Sequence, residues 1–324
     1  MNRGVKVKKN SEDFLSPNPG WKRAYKKSFK RYWQLYLLLL VPLILVIVFQ
    51  FASYPGIRIA FMNYKPALGY EGSKWVGLDI FRKIFKDKDF LNALKATIFY
   101  NIVDLLLSFT APIVLALMLN ELRAKKYKSV AQTILYLPHF LSWVVIGSVA
   151  YTMFRPSTGL VNMALVNMGL IDEGIPFLTE NVNWGVTYLL IGVWQTMGWG
   201  TIIYLAAITS IDEQMYESAM IDGANRWKRL IYITLPSIKG TIVTMLIMNL
   251  GRVMGSNFER LDSLGNSMVR DQYYQLAMYI YEKGLAGGNF SRATAVGLFQ
   301  SVVGLILVLI SDRIAKRLGE DGLL

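Results

Sequence analysis

The chain contains no cysteine. That excludes disulfide scaffolds, thiolate metal sites and cysteine nucleophiles. Histidine occurs once, at His139, which leaves no basis for a His-based metal centre or a Ser-His-Asp triad within the chain. Charge is scarce: Asp, Glu, Lys and Arg make up 18% of 324 residues, against 53% in the hydrophobic set and a mean hydropathy of +0.34. A soluble domain carries about 25% charged and roughly 45–50% apolar residues, and a disordered chain needs low hydrophobicity. There is no G-x-x-x-x-G-K-[ST] phosphate loop, no repeat with a period of 20–50 residues and no low-complexity tract.

What the sequence has instead is long apolar runs, each near the ~20 residues that a bilayer span requires. Six are predicted, at about 33–54, 94–119, 130–154, 184–208, 234–254 and 293–312. The first begins too late, runs too long and lacks an A-x-A-like site, so it reads as an anchor rather than a cleaved leader. Single polar groups interrupt the inner spans, among them Asn101, Asp104, Gln195, Asn249 and Arg252. Lipid tolerates these poorly, so those helices are expected to face one another or line a path.

The net charge of +13 is distributed as a topology signal. Lys and Arg number ten in 1–33, four in 120–129, three in 209–233 and three in 313–317. The seven in 55–93 are offset by Glu71, Asp79, Asp87 and Asp89. The positive-inside rule then puts both termini on the cytoplasmic side. No basic stripe marks a nucleic-acid surface. The expected organisation is a basic tail and interfacial segment (1–32), a first span with an external loop (33–93), a core of five spans (94–314) and a cytoplasmic tail (315–324). The stretch 22–33 suits a helix lying on the inner membrane surface, and Ile80, Ile84 and Phe85 suit a short helix at the outer one.

One cytoplasmic segment is unlike the other loops: 211–236, IDEQMYESAMIDGANRWKRLIYITLP. Met215, Ala219 and Met220 recur at helical spacing after Asp212 and Glu213, acids that suit a helix N-terminus. Gly223 breaks the run, as expected where φ turns positive. A second helix, about 224–233, carries Trp227, Leu230 and Ile231, and Pro236 suits the first turn of the next span. The pattern is a helix-turn-helix elbow.

This elbow resembles the E-A-A-x-x-D-G-A…I-x-L-P loop of permeases in binding-protein-dependent ABC importers. Glu217 takes the glutamate position, Ala219 the second alanine, and Asp222, Gly223 and Ala224 the D-G-A. Ile233, Leu235 and Pro236 complete the ending. Ser218 replaces the first alanine, and Leu230 stands where phenylalanine is usual. WVGLDIFRKIFKDKDFLNALKATIFYN (75–101), LYLPHFLSWVVIG (135–147) and the stretch from Ala293 onward also resemble the carbohydrate branch, within it the importers of oligosaccharides released from complex polysaccharides. The resemblance spans about 30–324.

The resemblance implies an all-α, polytopic permease of the type I importer fold in a bacterial inner membrane, with six transmembrane helices and a cytoplasmic coupling helix. It implies a second, homologous permease, two ATPase subunits docked on the elbows, an extracytoplasmic binding protein and an oligosaccharide substrate. ATP and Mg²⁺ are then used by the ATPases, with no cofactor, metal or catalytic residue on this chain. The elbow residues from Glu217 to Pro236 named above are the expected coupling contacts, with Glu217 meeting a basic residue of the ATPase cleft.

For the path itself, sugars favour planar hydrogen-bonding groups and aromatic faces. Candidates are Trp194, Gln195, Trp199 and Tyr204 in the fourth span, and Asn249, Arg252, Asn257 and Glu259 at the fifth. Aromatics near span ends are also ordinary interface anchors. Arg252 either meets an acidic sugar such as a uronate or pairs with a carboxylate such as Glu259. Asp104 reads as a hydrogen-bonded packing group and His139 as a satisfied histidine near a helix end. The segments 155–183 and 260–292 are expected to face outward. Competing readings are an ion-coupled carrier, which needs buried charge pairs or an inverted repeat, an importer permease for a non-sugar solute, and an enzyme acting on lipid-linked sugar.

Overall fold

The computed structural model describes residues 21–122, 124–320 and 322–323, with 21–28 and 30 as backbone only. The expected polar tail at 1–20 lies outside these. The chain divides after Arg58 into two compact units.

The first unit holds helix α1, Trp21–Val46, which is kinked at Tyr32 and continues as a π-helical turn over Ile47–Phe51. Its non-helical Tyr32 falls where the basic stretch gives way to the apolar run, at the junction expected between interfacial segment and span.

The second unit opens with a feature absent from the all-α expectation. Strands β1 (Met62–Lys65) and β2 (Gly69–Trp75) form an antiparallel hairpin around Pro66 and Gly69, whose φ is +62°. Ser291 ties the hairpin to the last helix: its Oγ donates to the Met62 carbonyl and accepts from the Tyr64 N–H. Ala60, Ile84 and Phe90 are buried in the main core of this unit.

Helices α2 (Asp79–Ile84) and α3 (Lys88–Glu121) follow, then α4 (Lys125–Tyr136), α5 (Trp143–Met153), α6 (Leu160–Asn167) and α7 (Asn181–Thr209). Short helices α8 (Glu213–Ile221), α9 (Arg226–Arg229) and α10 (Leu235–Ser237) lead to α11 (Lys239–Gly251). Helices α12 (Phe258–Leu264), α13 (Arg270–Tyr273) and α14 (Leu276–Tyr279) precede α15 (Phe290–Arg317). Among the described residues four helical stretches are long and apolar enough to cross a membrane, Arg31–Phe61, α3, α7 and α15, or six if each of two bent pairs is one span.

Both bent pairs fall where one straight span was expected. Over 130–154 the chain bends by 101° between α4 and α5. Pro138 lacks an N–H to donate, Leu141 is extended, and Ser142 caps α5 by accepting from the Val145 N–H. Over 234–254 the bend is 59°, at Ile238, after the π-helical turn Leu230–Thr234. Hydropathy is blind to such breaks because the apolar residues continue through them.

Two apolar clusters hold the second unit together. The larger gathers Phe90, Tyr100, Trp184, Tyr188, Leu261 and Tyr279. The smaller, around Ala116, Leu119, Tyr204, Ile208 and Ile238, lies toward the elbow. Close helix contact depends on glycine: a Cβ at Gly198 of α7 would collide with the Leu135 carbonyl of α4.

Candidate functional site

The elbow is built from local capping rules. Asp212 caps α8, its carboxylate accepting from the Gln214 N–H at 3.0 Å. The helix ends in a Schellman closure, in which the Gly223 N–H reaches the Met220 carbonyl and the Ala224 N–H reaches the Ala219 carbonyl at 2.8 Å. Gly223 has φ +76°, the left-handed conformation that glycine adopts without strain. Asn225 then caps α9 by accepting from the Lys228 N–H. The Tyr216 and Thr234 hydroxyls are hydrogen-bonded at 2.9 Å and hold the two arms together.

What the elbow presents is unusual for a solvated loop. Ile221 is 87% exposed, Tyr232 75% and Trp227 70%. Glu217, Ser218 and Asp222 are exposed beside them, and Ala219, Ala224, Ile233 and Leu235 are half-buried, with Pro236 exposed. Among the described residues Glu217 makes no ion pair. The capped scaffold thus displays apolar side chains around a carboxylate that makes no ion pair among the described residues.

The path candidates fall in separate places. Asn249 and Arg252 share a cleft of about 160 Å³ with Asn101, Asp104 and Ser108 of α3. Arg252 is exposed and makes no ion pair among the described residues, with Glu259 or any other acid. Asn257 caps α12, accepting from the Arg260 N–H, and Glu259 is exposed. Gln195 donates to the His139 carbonyl at 3.4 Å, and Trp199 stacks on the His139 ring at 4.6 Å. Trp194 borders an apolar groove with Leu141 and Val145, and Tyr204 is buried in the smaller cluster.

The sequence missed the centre of this region. Arg260 sits in what reads as an external loop, yet it is 6% exposed. Both its terminal nitrogens donate to Asp104 Oδ1 at 3.1 Å, and Nη2 also donates to the Tyr188 carbonyl at 2.6 Å. The guanidinium lies 3.8 Å from the Tyr188 ring centroid and 5.4 Å from that of Trp143, a desolvated cation–π arrangement. Gly192 makes room, since a Cβ there would strike the guanidinium. Asp104 is therefore a structural ion-pair partner. The signal that points to Arg260 is Asp104 itself, an acid inside a span that needs a cation.

The chain matches, over residues 108–320, the family of binding-protein-dependent transport system inner membrane components, and it belongs to that family. It is 42% identical over 289 residues to the polygalacturonan/rhamnogalacturonan transport system permease protein YteP of Bacillus subtilis, covering 89% of each chain. It is 39% identical to the protein LplB of the same organism, covering 93% of this chain and 94% of LplB. Among solved structures it resembles a chain of a bacterial alginate ABC transporter in complex with an alginate pentasaccharide-bound periplasmic protein, with TM-score 0.80, 37% identity, and 92% of this chain and 99% of that one covered.

Proposed function

We propose that this chain is one permease subunit of an ATP-driven importer for oligosaccharides derived from complex polysaccharides, delivered by an extracytoplasmic binding protein. The observation that carries the reading is the elbow: a doubly capped turn that displays Glu217 and an apolar surface with nothing among the described residues to cover them. Two ATPase subunits, which use the ATP and Mg²⁺, engage this elbow and the corresponding one of a second, homologous permease. Each bent helix pair counts as one span, giving six, with both termini in the cytoplasm. The oligosaccharide reading is supported by relatives named for polygalacturonan, rhamnogalacturonan and alginate. In the cleft beside Asp104, the free guanidinium of Arg252 suits the carboxylate of an acidic sugar. An ion-coupled carrier is disfavoured because the chain belongs to the family of binding-protein-dependent transport components; the one feature in its favour, a buried charge pair, is accounted for by the structural contact of Asp104 with Arg260.

Affinity purification from gently solubilised native membranes, followed by mass spectrometry, tests this assignment. An ATPase and a second permease should co-purify, and Glu217→Lys should release the ATPase while leaving membrane insertion intact. A charge-assisted contact is worth about 1.5–3 kcal/mol, so docking should weaken roughly tenfold to a hundredfold. A chain that purifies alone and transports without ATP refutes the proposal.

A further inference from the structure

A second polar concavity, separate from the cleft beside Asp104, lies at the opposite end of α3 from the elbow. The C-terminal Glu121 of α3 approaches Arg226 of the elbow at 4.0 Å. Lys95 is 26 residues back along the same helix, roughly 40 Å at 1.5 Å per residue. There the first turns of α3 and residues 270–274 line an open concavity of about 580 Å³, within the range of about 300–1,000 Å³ typical of small-molecule sites.

The walls are fixed. The buried Thr97 hydroxyl accepts from the Leu276 N–H at 2.8 Å and donates to the Ala93 carbonyl. The Tyr100 hydroxyl donates to Gln272 Oε1 at 2.6 Å, which leaves the Gln272 amide nitrogen available. Arg270 is held by a two-point contact with Glu282 and lies 4.3 Å from the Tyr274 ring centroid. Glu282 thereby neutralises Arg270 and fixes its guanidinium in the wall.

The lining is not committed in the same way. Asn92, Lys95 and Asp271 line the cavity, and among the described residues their side chains make no hydrogen bond or ion pair. Phe99 lines the same cavity and is 61% exposed. A free amide, ammonium, carboxylate and half-free carboxamide around an exposed aromatic ring form the donor and acceptor set that a pyranose needs, with the ring covering its C–H face. Arg270 is paired with Glu282 and Asp89 with Lys283, which leaves Lys95 and Asp271 as opposite charges, so the cavity does not demand a charged ligand.

We propose that this cavity is an outer sugar-binding subsite, which receives one or two units of the oligosaccharide at the external mouth before they reach the deeper path. The proposal rests on the importer reading, which places this end of α3 outside. A protein loop from the binding protein is the rival occupant, and the experiment separates the two.

The assembled importer, with its ATPases and second permease, is reconstituted in nanodiscs. Oligogalacturonides of two to five units are the probe, and arabinotriose is the neutral control. The variants are Phe99→Ala and Lys95→Ala, both at exposed positions where folding is little disturbed. Direct binding of labelled probe is measured without binding protein, docking of sugar-free binding protein is measured separately, and uptake is measured with both. Each variant should weaken probe binding and raise the concentration for half-maximal uptake about tenfold, while binding-protein docking and basal ATPase rate are unchanged. Reduced docking with unchanged probe binding would make the cavity a protein socket and overturn the proposal. So would no effect in either assay while the wild type transports. A wild type that assembles but moves neither sugar is a failure of the oligosaccharide reading itself.

Discussion

The ion pair between Asp104 and Arg260 makes a quantitative prediction. Removing one member of a buried pair costs about 3–5 kcal/mol, because the other is left charged without a partner. Arg260 has only 7% of its side chain exposed, whereas Asp104, at 28%, touches the cleft and its water. That places Asp104→Ala near the low end, about 3 kcal/mol, still well above the ~0.6 kcal/mol average for interhelical hydrogen bonds in membranes. At about 2–4 °C per kcal/mol, the assembled importer in detergent should melt about 6–12 °C lower. Asp104→Asn retains an acceptor and should lose less. Arg260→Met removes the desolvated charge, so the double variant Asp104→Ala with Arg260→Met should be more stable than the two single losses added, by about 2 kcal/mol. A thermal-melt double-mutant cycle reads this directly. Strict additivity, or an Asp104→Ala protein that melts like wild type, would refute the assignment of Asp104 to a structural hub.

Gly223→Val should leave insertion intact but distort the elbow. Nothing lies within 4 Å of a Cβ there, so the cost is the φ of +76° alone, about 1–2 kcal/mol for a side-chain-bearing residue, and ATPase co-purification should fall several-fold. Tyr274 supplies a pH prediction: burial pushes its hydroxyl up to about 12 from an ordinary value of 10. A group raised on folding lends stability that is present below the unfolded value and is lost as pH rises through the folded one. The 270–282 segment should therefore loosen between about pH 10 and 12, read by hydrogen exchange. Tyr274→Phe should reduce that loss; at neutral pH it should cost nothing, because the hydroxyl has no hydrogen-bond partner among the described residues.

The elbow was legible because its causes are local. Asp212 and Gly223 each act within four residues of their own position, so spacing alone exposes them; the Asn225 cap of α9 is equally local but was seen only in the structure. The uninterrupted helices α3, α7 and α15 were legible because one apolar run determines each. Arg260 was not, since its partners Asp104 and Tyr188 lie 156 and 72 residues away in the chain and come together only when α12 folds back between helices. The candidate Arg252 drew attention because it sits inside an apolar run, while the cation that is buried sits just outside one. The β1–β2 hairpin had readable signals in Pro66, Gly69 and the aromatics Tyr64, Tyr70 and Trp75, which the prevailing helical pattern outweighed.

A push at the elbow can open a path only if some helices move as bodies and others bend, and the structure separates the two. Helices α3 and α7 are joined by the Asp104–Arg260–Tyr188 hub, and a Cβ on Gly185 of α7 would meet the Tyr100 side chain of α3. Such close contacts do not deform gradually. The helix axis turns instead at Ile238 and over 137–142, where each bent pair changes direction. On the proposed importer reading, the ATP-driven motion should therefore concentrate at those two bends. The absence of cysteine lets label pairs be placed on this chain without background. Spin labels at Val114 and Ile203, both exposed on α3 and α7, should keep their separation to within about 2 Å through the ATP cycle. Labels at Tyr232 and Met248, exposed on either side of Ile238, should change theirs by more. If the α3–α7 distance moves and the pair spanning Ile238 stays fixed, the hub is the moving part and the assignment of rigid and flexible elements is reversed.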